Sequence, residues 1–175
     1  MLRRRKDVLA SLKGKRHEFK YVDLATGERD QYLAAVSDNT QTAIVKIGKI
    51  RQLLERLKAS WLIDTITSLG DDDKSIIFCE YTESVAYLAD EFAKAGIQTV
   101  TFTGSNSGTR KQKAIDTFMS DPAVKVFIGT TKAAGVGLNL VAANYVFFAS
   151  LPWTAAAKRQ AEDRAYRNGQ KRAVT

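Results

Sequence analysis

SIIFCEYTESVAYLADEFAKAGIQTVTFTG, residues 75–104, sets two short apolar runs on either side of an amphipathic one. SIIFCEY (75–81) and IQTVTFTG (97–104) are rich in β-branched and aromatic residues and too short for helices, so both are expected to be strands. Between them the spacing predicts a helix over 82–96, with Thr82 as its N-cap and Gly96 as its stop. The alternation continues downstream. TRKQKAIDTFM (109–119) reads as a helix, Asp121–Pro122 as a turn, and VKVFIGTT (124–131) and NYVFFAS (144–150) as strands. TAAAKRQAEDRAYR (154–167) is predicted to be the last helix. Strands that are apolar almost throughout, alternating with helices, predict an α/β fold whose parallel sheet is covered on both faces.

Residues 1–70 follow another pattern and are expected to form a mainly helical extension, leaving 71–175 as the α/β lobe. After a basic opening (2–13), the alternation in EFKYVDL (18–24) predicts a short strand. A helix is expected over about 27–36, with Thr26 as its N-cap. TAIVKIGKIRQLLERLKASWLIDTITSLG (42–70) is a long helical stretch in which Ile47, Ile50, Leu53, Leu54 and Leu57 keep helical spacing. Ser60 marks a new start within it, and Gly70 with Asp71–Asp73 closes the region.

Composition narrows the function. With 175 residues, 45% of them hydrophobic, the chain can build a real core. One cysteine, Cys79, and one histidine, His17, exclude an internal disulfide and a Cys/His metal site. Cys79 sits in an apolar run and is expected in the core; a reducing, intracellular setting suits such a chain. The apolar runs are far shorter than a membrane span, and no signal peptide fits the first residues. The net charge of +8 is concentrated at the ends: residues 1–20 carry +6, 158–175 carry +4 and the middle −2. Basic ends on a near-neutral body fit a polyanion partner, nucleic acid foremost, and fit solvated helix faces equally well.

In an open parallel sheet the chemistry gathers where loops leave the carboxyl ends of strands. Four loops qualify: 80–83, 103–109, 130–140 and 151–154. TGSNSGT (103–109) suits a phosphate or is a plain flexible turn. GTTKAAGVGLNL (129–140) combines glycines, threonines and a lysine, so another molecule can approach its backbone closely. No GxxxxGK[ST] occurs, so a triphosphate and Mg²⁺ cannot be cradled here in the usual way. QAEDRAYRNGQKR (160–172), read as a helix, sets Gln160, Arg164 and Arg167 at i, i+4 and i+7 on one face. A guanidinium stabilises charge on a transferring phosphoryl group. Periodicity alone favours a blander role, salt bridging of Asp163 to Arg167 and of Lys158 to Glu162.

The whole string weighs further. GTTKAAGVGLNLVAANYVFFASLPWTAAAKRQAEDRAYRNGQKRAV (129–174) resembles the C-terminal helicase lobe of the Swi/Snf-type ATPases of helicase superfamily 2. The family's T-x-A-x-G-x-G-x-N-L loop, its strand, its tryptophan-containing turn and its Q-x-x-x-R-x-x-R-x-G-Q string stand here in order. SIIFCEYTESVAYLADEF resembles the family's motif IV, TGSNSGTRKQKAIDTF its D-G-S…R…F segment, and LRRRKDVLASLKGKRHE the basic stretch after the N-terminal lobe. Departures are Thr103 in place of Asp, Lys13-Gly14 in place of prolines, and Tyr166-Arg167-Asn168 in place of His-Arg-Ile.

The resemblance implies a RecA-like fold without a P-loop. It also implies ATP and Mg²⁺ held mainly by a separate N-terminal lobe, and duplex DNA as a partner. Arg164 and Arg167 would be arginine fingers and Gln160 an orienting hydrogen-bonder. Gly135, Gly137 and Asn139 would face the nucleotide edge. Gly104, Ser105, Arg110, Thr130, Thr131 and Lys132 would lie along the duplex backbone, with Trp153 nearby. The full protein would be a DNA-dependent ATPase that translocates on duplex DNA, and this portion alone would be inactive. The alternative from another class is a non-hydrolytic lobe kept as a DNA- or protein-binding scaffold.

Overall fold

The computed structural model describes residues 14–134 and 137–175. The basic opening at 2–13 and the expected nucleotide-edge residue Gly135 lie outside them. Four parallel strands, β1 (Ser75–Cys79), β2 (Gln98–Phe102), β3 (Val124–Thr130) and β4 (Tyr145–Phe148), stand in the order β2-β3-β1-β4. The crossovers are α4 (Thr82–Lys94) between β1 and β2, α5 (Gly108–Ser120) between β2 and β3, and the short α6 (Thr131–Ala134) after β3. α7 (Ala155–Glu162) follows β4.

The alternation of side chains along β1 shows why the sheet must be covered twice. Ile76 and Phe78 join Phe102, Phe118, Phe127 and Leu140 in one core. Ile77 and Cys79 join Val85, Leu88, Phe92, Val126 and Ile128 in the other. α1 (Thr26–Ser37), α2 (Ala43–Leu57) and α3 (Ala59–Thr67) precede the sheet, and Leu62 and Ile66 of α3 are buried in this second core. Cys79 is fully buried as expected, and burial pushes its thiol well above the ordinary range. At Gly129 the first core packs tightly on the strand: an added Cβ would stand 3.0 Å from the Phe102 carbonyl and 3.2 Å from the Phe127 ring. Gly129→Ala is therefore expected to lower the stability of the lobe by about 1–3 kcal/mol, read as an earlier denaturant midpoint with unchanged slope.

Several local expectations are corrected. EFKYVDL forms no strand, and its Phe19 and Tyr21 are exposed: alternation without a neighbouring strand to pair with does not make one. α1 and α4 begin one residue earlier than their threonines suggest, with Ala25 and Tyr81 at the caps. Glu28 accepts the Ala25 N–H at 2.9 Å, the N3 half of a capping box. The 42–70 stretch breaks at Lys58 rather than Ser60. On α2 the fully buried side chain is Glu55 rather than one of the leucines, because its Oε1 accepts the Glu80 N–H at 2.7 Å where β1 ends. Gly96 does stop α4, at φ +74°.

The last helix ends at Glu162, five residues short of the expected Arg167. Leu140 donates its N–H to the Arg164 carbonyl at 3.0 Å, and Arg164 donates its own N–H to Ala161 at 3.0 Å. Local turn bonds carry the chain past Glu162, and one tertiary bond, from the Leu140 N–H, takes the Arg164 carbonyl. Beyond it the chain returns to the sheet edge: Val146 N–H donates to the Thr175 carbonyl and Thr175 N–H to the Asn144 carbonyl. Lys15 pairs with Val174 in a parallel bridge outside them.

Candidate functional site

All strands being parallel, their carboxyl ends line up on one edge of the sheet. The register sets Cys79 beside Thr130, Phe102 beside Gly129, and Phe78 beside Phe148. Every loop singled out in the sequence leaves this edge or the turn that precedes β4.

The arginines meet through a turn rather than a helix face. Arg164 donates from Nε to the Gln160 carbonyl at 3.0 Å and from Nη1 to the Leu138 carbonyl at 3.2 Å. Arg167 donates from Nη1 to the same Leu138 carbonyl at 3.3 Å. Two guanidiniums thus converge on one backbone oxygen of the glycine-rich loop, between Gly137 and Asn139, both exposed. Gly137 has φ +74°, a conformation that suits glycine and lets the loop present that carbonyl. Burial first, then the neighbouring charge of Arg167, pushes the Arg164 pKa down, against a smaller pull from Asp163. A pair of like charges in that setting favours an anion between them. Gln160 joins through its backbone carbonyl, while its side chain is exposed.

Beneath this turn lies a residue the sequence did not single out. Gln170, buried, donates from Nε2 to the carbonyls of Ala143 (2.7 Å), Val141 (3.2 Å) and Ala165 (3.2 Å). Its Oε1 accepts the Arg172 N–H at 2.9 Å. One amide thereby joins the arginine turn to the strand-entry loop. Its place in the Q-x-x-x-R-x-x-R-x-G-Q string was visible, but its burial was not.

Along the carboxyl edge, Gly104, Ser105, Arg110 and Lys132 are exposed. Thr103 organises its loop, donating its N–H to Asn106 Oδ1 at 2.7 Å and sharing a 2.8 Å hydroxyl contact with Ser105. Ser107 caps α5, accepting the Arg110 N–H. Thr130 and Thr131 are buried: the Thr130 hydroxyl accepts the Ala133 N–H, and the Thr131 hydroxyl donates to the Cys79 carbonyl. Their side chains brace the loop from within while Lys132 faces outward. Trp153 is 69% exposed, and the Arg51 guanidinium stacks 4.2 Å from its ring centre while donating to the Leu151 carbonyl. Arg51 lies 100 residues from Leu151 in sequence, so no local pattern could have brought it to this turn.

Residues 57–169 match the helicase conserved C-terminal domain. The chain belongs to this family, in its Swi2/Snf2 branch. The helicase C-terminal lobe is 35% identical to Switch 2 of Arabidopsis thaliana, over 73% of this chain and 14% of that protein. It is 31% identical to the DNA repair protein RAD5 of Cryptococcus neoformans, over 95% of this chain and again 14% of the relative. The chain therefore spans about one-seventh of the length of these curated relatives. Among solved structures it resembles the C-terminal part of the Fun30 ATPase domain, with a TM-score of 0.61 and 32% identity over 68% of this chain and 38% of that one. It shares its fold with the Sulfolobus solfataricus SWI2/SNF2 ATPase core domain, with a TM-score of 0.71 at 22% identity over 97% of this chain and 40% of that one. The RecA-like arrangement implied by the sequence is thus the fold of the lobe. Among the described residues no helix is long and apolar enough to cross a membrane, and no group of three metal-binding side chains occurs.

Proposed function

We propose that this lobe completes the nucleotide site of a DNA-dependent ATPase and grips the duplex backbone. The observation that carries the proposal is the convergence of Arg164 and Arg167 on the Leu138 carbonyl, two cations held at the mouth of a glycine-rich loop. Such a pair fits the polyphosphate of ATP presented by a separate N-terminal RecA-like lobe. The lobe's described residues supply no carboxylate cluster for Mg²⁺, which in this proposal is held by that other lobe. ATP supplies the transferring phosphoryl group. Arg164 and Arg167 stabilise the charge that develops on it, and Gln160 orients a group beside them. Gly137 and Asn139 face the nucleotide edge and link it to the DNA side.

On that side Gly104, Ser105, Arg110 and Lys132 follow the phosphates, with Thr130 and Thr131 shaping the loop and Trp153 flanking it. Contacts of this kind bring affinity and salt dependence but little sequence preference. Closure of the two lobes on ATP would assemble the site and step the lobe along the duplex.

The test is ATP hydrolysis by the lobe alone, and by the lobe with its N-terminal partner lobe, with and without duplex DNA or RNA. Silence alone and duplex-stimulated turnover on mixing is the expected result. Turnover by the lobe alone would overturn the half-site, and silence of folded, associated lobes would leave a scaffold. Lys132→Ala should weaken duplex binding equally across sequences and reduce the salt slope by about 1.

A further inference from the structure

The segment that enters the lobe is ionically bonded to the end of α7. Lys15 Nζ lies 2.7 Å from Glu162 Oε2, and Lys158 Nζ lies 2.5 Å from Oε1. His17 Nδ1 stands 3.6 Å from that same Oε1. The Glu162 side chain is only 7% exposed. Burial pushes its carboxyl up, but the hydrogen bonds and charges of Lys15 and Lys158 outweigh it and hold the group below the ordinary carboxylate range.

Glu162 is also where the helix stops. Its carbonyl accepts the N–H groups of Ala165 (3.2 Å) and Tyr166 (3.0 Å), which open the turn bearing both arginines. Lys15 Nζ stands 5.6 Å over the ring of Tyr166, the neighbour of Arg167. The backbone on the other side is equally tied: Arg16 N–H donates to the Val174 carbonyl at 2.8 Å, and Val174 N–H to the Gly14 carbonyl at 3.1 Å. A pull on residues 14–17 therefore reaches the arginine turn most directly through the Glu162 carboxylate, with the Lys15–Tyr166 contact beside it.

We infer that Lys15 and Glu162 are positioning residues for Arg164 and Arg167, so that the placement of the incoming segment is transmitted to the arginines across the Lys15–Glu162 ion pair. The inference rests on the proposed hydrolytic role of those arginines. A pair that served stability alone would lower the melting temperature and leave turnover per folded molecule intact.

The experiment is steady-state, duplex-stimulated ATP hydrolysis by the full-length protein, comparing Glu162→Gln, Lys15→Met, Lys15→Arg and the Lys15→Met/Glu162→Gln double variant. Glu162→Gln should lower kcat about tenfold with KM for ATP within about twofold, as expected when reacting groups are misplaced rather than lost. The double variant should fall no further than Glu162→Gln, and Lys15→Arg should keep most of the activity. Wild-type kcat in both single variants, or independent losses that multiply in the double, would overturn the inference. Should Glu162→Gln fail to fold, Lys15→Met, at a partly exposed side chain, decides the matter by the same kcat criterion. Arg167→Ala separates the two claims. If it is inactive while Glu162→Gln and Lys15→Met turn over normally, only the ion-pair inference falls. If Arg167→Ala itself turns over normally, the arginine roles fall and this inference with them.

Discussion

Arg167→Ala, made in the full-length protein, is expected to reduce duplex-stimulated ATP hydrolysis on the order of a thousandfold, the scale of an arginine that stabilises a transferring phosphoryl group. Duplex affinity and melting temperature should change little. Arg167 is exposed, and its described side-chain bond is a single one, to the Leu138 carbonyl at 3.3 Å. Its removal therefore disturbs little of the resting fold. Arg164 differs. It is half-buried and bonds two carbonyls, those of Gln160 and Leu138, while its own carbonyl accepts the Leu140 N–H. Arg164→Ala should thus lose hydrolysis and also melt earlier. Lysine at 167 should not restore turnover, because a point charge cannot reproduce the planar fork of donors. Single-turnover kinetics on Arg167→Ala with saturating ATP and duplex provide the check, and near-normal rates would remove the finger assignment.

Gln170→Leu is the second large effect. The substitution nearly preserves volume but removes the amide that bonds three carbonyls and one N–H inside the lobe. Buried carbonyls left without donors are costly, so a loss of roughly 3 kcal/mol is expected. For a domain of this size that corresponds to a melting temperature lower by about 6–12 °C. The neighbouring network makes the loss local as well as global. Arg172, whose N–H bonds Gln170, also bonds Asp73 Oδ1 at 2.9 Å, and Asn144 donates to that same oxygen at 2.7 Å. Loosening Gln170 frees the turn that carries Arg164 and Arg167, so turnover should fall in the protein that remains folded. Calorimetry together with activity per folded molecule reads both. A variant as stable and as active as the parent would show that backbone bonds alone hold the turn.

The order of strands and helices was legible because a parallel sheet buried on both faces imposes continuous apolar runs. SIIFC cannot put Ile76 and Phe78 in one core and Ile77 and Cys79 in another without such a sheet. The short side chains of 129–140 and the paired arginines of 160–172 marked the candidate site, as residue types that an ordinary core does not ask for. Where elements end was less legible. EFKYVDL has the alternation of a strand and no partner, and Glu55 stands among leucines yet is the one buried on α2, since only the fold brings the Glu80 N–H to it.

The last helix shows the division most clearly. Its sequence contains Gln160, Arg164 and Arg167 at a spacing that would align them if the helix ran on, and by itself determines that three hydrogen-bonding side chains lie close together. Whether they share a helix face depends on competition between the next helical hydrogen bond and the bonds offered by Leu138 and Leu140, over twenty residues away. Past Glu162 irregular local turns replace the regular helical ladder, the Leu140 N–H takes the Arg164 carbonyl, and both guanidiniums reach one carbonyl, that of Leu138. Residue type and spacing are local properties and are written in the chain. The partner of a buried polar group is a property of the packed structure, and only the tertiary fold decides it.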